Sequence, residues 1–286
     1  MHSEYPPELA ALTPARPDAY RSFPYGPGDD QFGQLWPAAG GTSPAPVVVL
    51  VHGGYWRARY RLDLMHAAAA DLSGRGYAVW NIEYRRVVAR AGAPDATPVG
   101  SPSGGWPGTF VDVAAAFDAL ADLAPEHALD LGRVAAVGHS AGGHLALWAC
   151  GRHRLAGQPP FTPPWVTPPR VTPRLVVSLA GVADLRMAAA LGLSDGAVRG
   201  LLGGGPEEVP DRYDLACPTR LLPLGVPQVV LHGTEDVDVP MDLSTHYAKL
   251  AGDECELVVL PGVNHRALID PANPAWADVT RALTRL

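Results

Sequence analysis

One stretch restricts the chain more than any other: Gly138-His139-Ser140-Ala141-Gly142-Gly143. An apolar run, Arg133-Val134-Ala135-Ala136-Val137, leads into it, and a helix-like run, His144-Leu145-Ala146-Leu147-Trp148-Ala149-Cys150, leads out. Strand, Gly-x-Ser-x-Gly, helix is the pattern of a sharp turn that presents a serine at the end of a strand. Gly138 and Gly142 let strand and helix approach closely, because neither carries a Cβ. Such a turn points Ser140 Oγ away from the sheet. It also leaves the Ala141 N–H at a helix N-terminus, free to donate to an anion.

The rest of the chain supplies the sheet that such a turn needs. Pro46-Val47-Val48-Val49-Leu50-Val51 is continuous and apolar, as expected of a parallel strand buried on both faces. It empties into His52-Gly53-Gly54-Tyr55-Trp56. A helix over 62–73 follows, then a strand over 77–84. Phe110, Val113, Phe117 and Leu120 fall at helical spacing within 108–123. Further strands are expected over 175–180, 227–231 and 256–260, with helices over 241–251 and 276–286. Alternating strands and helices predict one open, mostly parallel α/β sheet with helices on both faces. Residues 1–45, rich in Pro and Gly, read as an N-terminal arm and edge strands, including the strand-like Gln31-to-Trp36 stretch. Residues 185–224 read as a small cap arching over the sheet edge. The segments 88–107 and 157–173 read as long loops. All 286 residues are then a single domain.

In such sheets, sites form at the carboxyl ends of strands. Three further groups stand at those ends. Asp236 follows the strand over 227–231 and His265 follows the last strand. The His52-Gly53-Gly54-Tyr55-Trp56 turn follows the first apolar one. Acyl transfer needs a nucleophile, a base, a group that orients the base, and donors for the oxyanion. Ser140 fits the nucleophile, His265 the base and Asp236 the acid, in the chain order Ser, Asp, His. The N–H groups of Ala141 and of the Gly53-Gly54-Tyr55 turn fit the oxyanion donors. Asp184, after another strand, is an alternative acid, or else the cap of the helix behind it. Trp56 and Trp106 are candidate contacts for an aryl substrate. His52 and His232 read as histidines tying down loops, and His139 and His144 as packing residues.

Composition closes other routes. A net charge of −7 with no basic run argues against nucleic acid as a partner. The histidines and the three cysteines show no metal-ligand spacing, so no metal or other cofactor is expected. The glycine-rich stretches lack a nucleotide-binding pattern. Scattered cysteines, no apolar stretch of membrane-spanning length and no leader-like N-terminus lead to the expectation of a cytoplasmic protein. No pattern sets the oligomeric state.

With these residues in place, the chain resembles the α/β-hydrolase superfamily over most of its length. His52-Gly53-Gly54-Tyr55-Trp56 with Gly138-to-Gly143 is similar to the branch of kynurenine formamidase-like proteins and hormone-sensitive-lipase-like esterases. Gly181-Val182-Ala183-Asp184-Leu185 and His232-Gly233-Thr234-Glu235-Asp236 are also similar to stretches of that branch. The resemblance implies an α/β-hydrolase fold with Ser140, Asp236 and His265 as triad, and Gly53, Gly54 and Ala141 at the oxyanion hole. The complete triad and the two-part oxyanion hole together predict a cofactor-independent serine hydrolase for carboxylic esters, short-chain or aryl. The alternatives are an arylformamidase, from the HGGYW form, and a non-catalytic binder on the same fold.

Overall fold

The computed structural model describes residues 7–14, 17–40, 43–88, 104–155 and 168–286. Eight strands form one sheet: β1 (Arg21–Pro24), β2 (Phe32–Trp36), β3 (Ala45–Val51), β4 (Ala78–Ile82), β5 (Leu129–His139), β6 (Leu175–Leu179), β7 (Gln228–Gly233) and β8 (Cys255–Leu260). Their order across the sheet is β1-β2-β4-β3-β5-β6-β7-β8. The N-terminal arm closes one edge as an antiparallel hairpin, with β2 also antiparallel to β4. From β4 to β8 every pairing is parallel.

The helices are α1 (His66–Gly74), α2 (Gly108–His127), α3 (Ala141–Gly151), α4 (Leu185–Ala190), α5 (Leu193–Leu202), α6 (Pro210–Ala216), α7 (Met241–Ala251) and α8 (Trp276–Leu283). They cover both faces of the sheet, and β3 shows how. Val47, Val49 and Val51 belong to the apolar cluster that also holds residues of α2, α3 and α7, while Val48 and Leu50 belong to the cluster that holds residues of α1 and α8. Side chains alternate along a strand, so a strand covered on both faces must be apolar at every position. Burying each of these Val or Leu side chains contributes about 1.5–3 kcal/mol.

β5 begins four residues before the apolar run seen in the sequence. Its start, Leu129 and Asp130, pairs with Ala45 and Pro46, and a register shift separates that pairing from Val47↔Val134. Residues 185–224 form α4 to α6 and belong to the main core rather than to a separate layer: Ala188, Val198, Leu201 and Tyr213 join the α2/α3/α7 cluster. His144 Nε2 donates to Ala216 O at 2.9 Å and Trp148 Nε1 to Leu215 O at 2.9 Å, fixing α6 to α3. The loops expected over 88–107 and 157–173 lie largely outside the described residues. Among the described residues, no helix is long and apolar enough to cross a membrane.

Candidate active site

At the carboxyl end of β5 the chain reverses into α3 through Ser140, whose φ of 56° and ψ of −119° are unusual for a residue with a side chain. Such a conformation costs on the order of 1–3 kcal/mol and persists only where its surroundings enforce it. Here the Ser140 N–H donates to Leu179 O at 2.8 Å, and Ser140 O accepts from Val182 N and His144 N, both at 3.2 Å. Close packing adds to this. A Cβ on Gly138 would stand 2.1 Å from Gly142 O, and one on Gly142 would stand 2.0 Å from Val51 O. Only glycine fits at either place. Ala141 is the first residue of α3, so its N–H has no intrahelical acceptor.

The turn after β3 lies against this elbow. A Cβ on Gly53 would be 2.8 Å from His139 O and 3.0 Å from Ser140 Cβ. Gly54, Tyr55 and Trp56 all have positive φ (109°, 51° and 58°), which curls the backbone. Among the described residues, the N–H groups of Gly54 and Tyr55 have no hydrogen-bond partner. The base of the turn is fixed by His52, whose Nε2 lies 2.8 Å from Glu83 Oε1. The Tyr84 ring stacks on the His52 ring at 4.3 Å, and its hydroxyl donates to His52 O at 2.8 Å. Further along, Arg57 Nη2 donates to Ser194 O, tying the turn to α5, and the Tyr55 hydroxyl donates to Asp238 O.

His265 and Asp236 come from the loops after β8 and β7. His265 Nδ1 donates to Asp236 Oδ2 at 2.6 Å. Asp236 Oδ1 accepts from Asp238 N at 2.9 Å and Val239 N at 2.8 Å. Burial alone would raise the Asp236 pKa. Hydrogen bonds from His232, His265 and Val239 outweigh it and hold the carboxyl well below the usual carboxylate range. An ionised Asp236 keeps the proton on His265 Nδ1 and leaves Nε2 free to accept one.

Two histidines that the sequence reads as supports stand close behind this pair. His232 is fully buried, its Nδ1 accepting from Ser244 Oγ at 2.7 Å and its Nε2 donating to Val239 O at 2.9 Å, with Asp236 Oδ2 at 3.3 Å. His139 Nε2 donates to His265 O at 3.0 Å, and the two rings lie 4.4 Å apart. Burial, with the neighbouring His265 adding to it, lowers the His139 pKa to about 3. His139 is therefore a neutral donor.

Ser140, His139, His265, Gly53, Gly54 and Tyr55 line one cavity of about 80 Å³. Its apolar wall comes from Leu9, Tyr60, Leu64 and Ile269, none of which the sequence motifs mark. Trp56 and Trp106, expected as substrate contacts, are not on that wall. Trp56 is fully buried, edge-on to His144 at 5.2 Å, because its positive φ turns the ring into the core. The Trp106 ring packs on Phe110 at 5.2 Å and its backbone N–H donates to Leu201 O at 2.7 Å. Asp184 lies away from the cavity: its Oδ1 accepts from Met187 N at 2.9 Å and caps α4. Among the described residues, Asp236, Asp238 and His265 bring metal-ligand-type atoms within 4.8 Å of one another. Both Asp236 oxygens already accept hydrogen bonds there, and His265 Nδ1 is committed to one of them.

The BD-FAE family model matches residues 34–250. Esterase LipC of Mycobacterium tuberculosis is 25% identical over 272 residues, which cover 91% of this chain and 62% of LipC. A bifunctional GH43-CE structure from Bacteroides eggerthii superposes with a TM-score of 0.77 at 20% identity, over 94% of this chain and 35% of that one. Esterase B from Lactobacillus rhamnosis superposes with a TM-score of 0.73 at 22% identity, over 96% of this chain and 88% of that one. The chain thus spans less than two thirds of LipC and of the Bacteroides protein. The fold these neighbours share is the α/β-hydrolase fold expected from the sequence.

Proposed function

The chain belongs to the BD-FAE family, and from that premise we propose that it is a serine hydrolase that cleaves small carboxylic esters through an acyl-enzyme. Ser140 Oγ attacks the ester carbonyl as His265 Nε2 takes its proton. Asp236 holds the His265 tautomer and stabilises the imidazolium. The oxyanion is received by Ala141 N–H from one side and by Gly54 and Tyr55 N–H, in the turn that Gly53 opens, from the other. His265 then protonates the departing alcohol oxygen. Water, activated by the same imidazole, hydrolyses the acyl-Ser140 ester and restores the enzyme. Each step uses a group that this chain itself supplies.

The single observation that carries the reading is the 2.6 Å bond from His265 Nδ1 to Asp236 Oδ2, at a cavity that Ser140 and His265 both line. Relatives that are named esterases support it. The test is turnover of p-nitrophenyl acetate by the parent and by Ser140→Ala, together with labelling by a fluorophosphonate probe. Turnover and labelling by the parent, both lost in the variant, are expected. Equal rates in the two proteins would overturn the proposal. The arylformamidase alternative rests on the HGGYW form alone. Comparing N-formylkynurenine with acetate esters decides between the two.

A further inference from the structure

Two cavities meet at His265. The smaller, about 80 Å³, is the apolar-walled one that holds Ser140. The larger, about 470 Å³, is lined by Asp238, Asn264, Arg266, Asp270 and Asn273 among others. Asp238, His265 and Arg266 line both. An ester bound at Ser140 must therefore divide between them. The walls decide: the larger cavity offers Asp238, Asn264, Asp270 and Asn273 to a hydroxyl-bearing alcohol side, whereas the smaller one offers almost only apolar surface. The acyl carbonyl oxygen points to Gly54, Tyr55 and Ala141, so the acyl chain is left with the smaller, apolar one. Pockets for drug-sized ligands measure roughly 300–1,000 Å³. At about 80 Å³ the cavity lies at the small end of such spaces, which suits a short acyl group.

One residue of that small wall stands apart. Leu9 lies on the short turn Pro7–Leu12, and the next lining residue in sequence is Gly53. Leu9 is nonetheless only 5% exposed. Its turn packs on the Leu62–Met65 turn and on α1, and Leu9 shares an apolar cluster with Leu64, Leu268 and Ile269. We infer that Leu9 is a specificity-determining residue: with Leu64 and Ile269 it walls the apolar cavity beside Ser140 and makes the enzyme favour short-chain over long-chain acyl esters. This rests on the esterase reading above.

The test is kcat/KM for p-nitrophenyl acetate, butanoate and octanoate in the parent, Leu9→Ala and Leu9→Trp. One or a few methylenes in an apolar pocket are worth about 10–200-fold. The octanoate-to-acetate ratio is expected to rise by about tenfold or more in Leu9→Ala, and the butanoate-to-acetate ratio to fall in Leu9→Trp. A folding defect would depress all three esters together and could not move the ratios in opposite directions. Ratios equal to the parent's in both variants overturn the inference, as does a parent that prefers octanoate. If the parent turns over none of the three and Ser140 stays unlabelled by a fluorophosphonate, the esterase reading falls first and the inference with it. Turnover with unmoved ratios removes the inference alone.

Discussion

Asp236 accepts hydrogen bonds on both carboxylate oxygens, and that limits what can replace it. Asparagine has the same shape but only one acceptor atom. Its oxygen would be claimed by the N–H groups of Asp238 and Val239, leaving its NH₂ facing His265. His265 Nδ1 would then have to accept, which moves the ring proton to Nε2, the nitrogen that receives the Ser140 proton in the proposed mechanism. Asp236→Asn is therefore expected to lose about 10⁴-fold in kcat while keeping its circular dichroism spectrum, the size of loss seen when a triad acid is made neutral. Asp184→Asn keeps a side-chain oxygen to cap Met187 N–H and should stay near the parent rate. The opposite pattern, with Asp184→Asn inactive and Asp236→Asn active, would transfer the acid role. At this scale much was legible. Chain order and strand-end position bring Ser140, Asp236 and His265 forward, and the structure places Asp236 and His265 in hydrogen contact at the Ser140 cavity. Which side of a curled loop faces the substrate is not legible, and Trp56 shows it: the same motif that marks the turn carries a tryptophan that a positive φ buries.

The crossing of β3, β5 and α3 is the element on which the site depends. Gly142 stands where α3 passes the end of β3, and a Cβ there would sit 2.0 Å from Val51 O and 2.5 Å from His52 O. Both are backbone atoms of the strand that leads into the Gly53-Gly54 turn, so no side-chain rotation relieves the clash. Gly142→Ala should cost about 1–3 kcal/mol or more by overpacking, and it should lower activity because the displaced strand carries with it the turn proposed to receive the oxyanion. Gly74, at the end of α1, has no heavy atom within 4 Å of an added Cβ. Gly74→Ala should be neutral or stabilising by up to about 1 kcal/mol. Denaturant midpoints of the two variants check this, and a parent-like midpoint for Gly142→Ala would refute the tight-crossing account. The sequence displays this element because glycine spacing and apolar period coincide in it. It does not display the Pro7–Leu12 turn, which is too short for any period to emerge. The partners of that turn, Leu64 and Ile269, are far along the chain, so only tertiary packing reveals its position.

Across the whole molecule, folding takes several imidazoles out of water, and this sets how the protein responds to acid. His144 is fully buried. Its Nε2 donates to Ala216 O and, among the described residues, its Nδ1 has no partner, an arrangement that suits a neutral ring whose Nδ1 carries no proton. Burial lowers the His144 pKa to about 4, and burial with the neighbouring His265 lowers that of His139 to about 3. Burial also lowers that of His66, whose Nε2 lies 2.8 Å from Gln34 Oε1. In the unfolded chain each takes up a proton near pH 6.5. Above that pH neither state binds the proton, and the full stability is present. As pH falls below about 6.5 the unfolded state binds protons that the folded state refuses, so stability drops, by up to about 1.4 kcal/mol per pH unit for each such group. The loss continues until the folded pKa is reached, near 3 for His139 and near 4 for His144. The depressed Asp236 carboxyl adds a further loss only below its ordinary value of 3.8. The midpoint of thermal unfolding is thus expected to be flat above pH 7 and to fall steeply from pH 6.5 to 4.5. His144→Gln, which retains a side-chain N–H that can donate to Ala216 O but does not titrate, should show a shallower fall. Scanning calorimetry from pH 4.5 to 8 measures both, and a parent midpoint that holds constant from pH 7 to 5 would show that these rings are not held neutral by the fold.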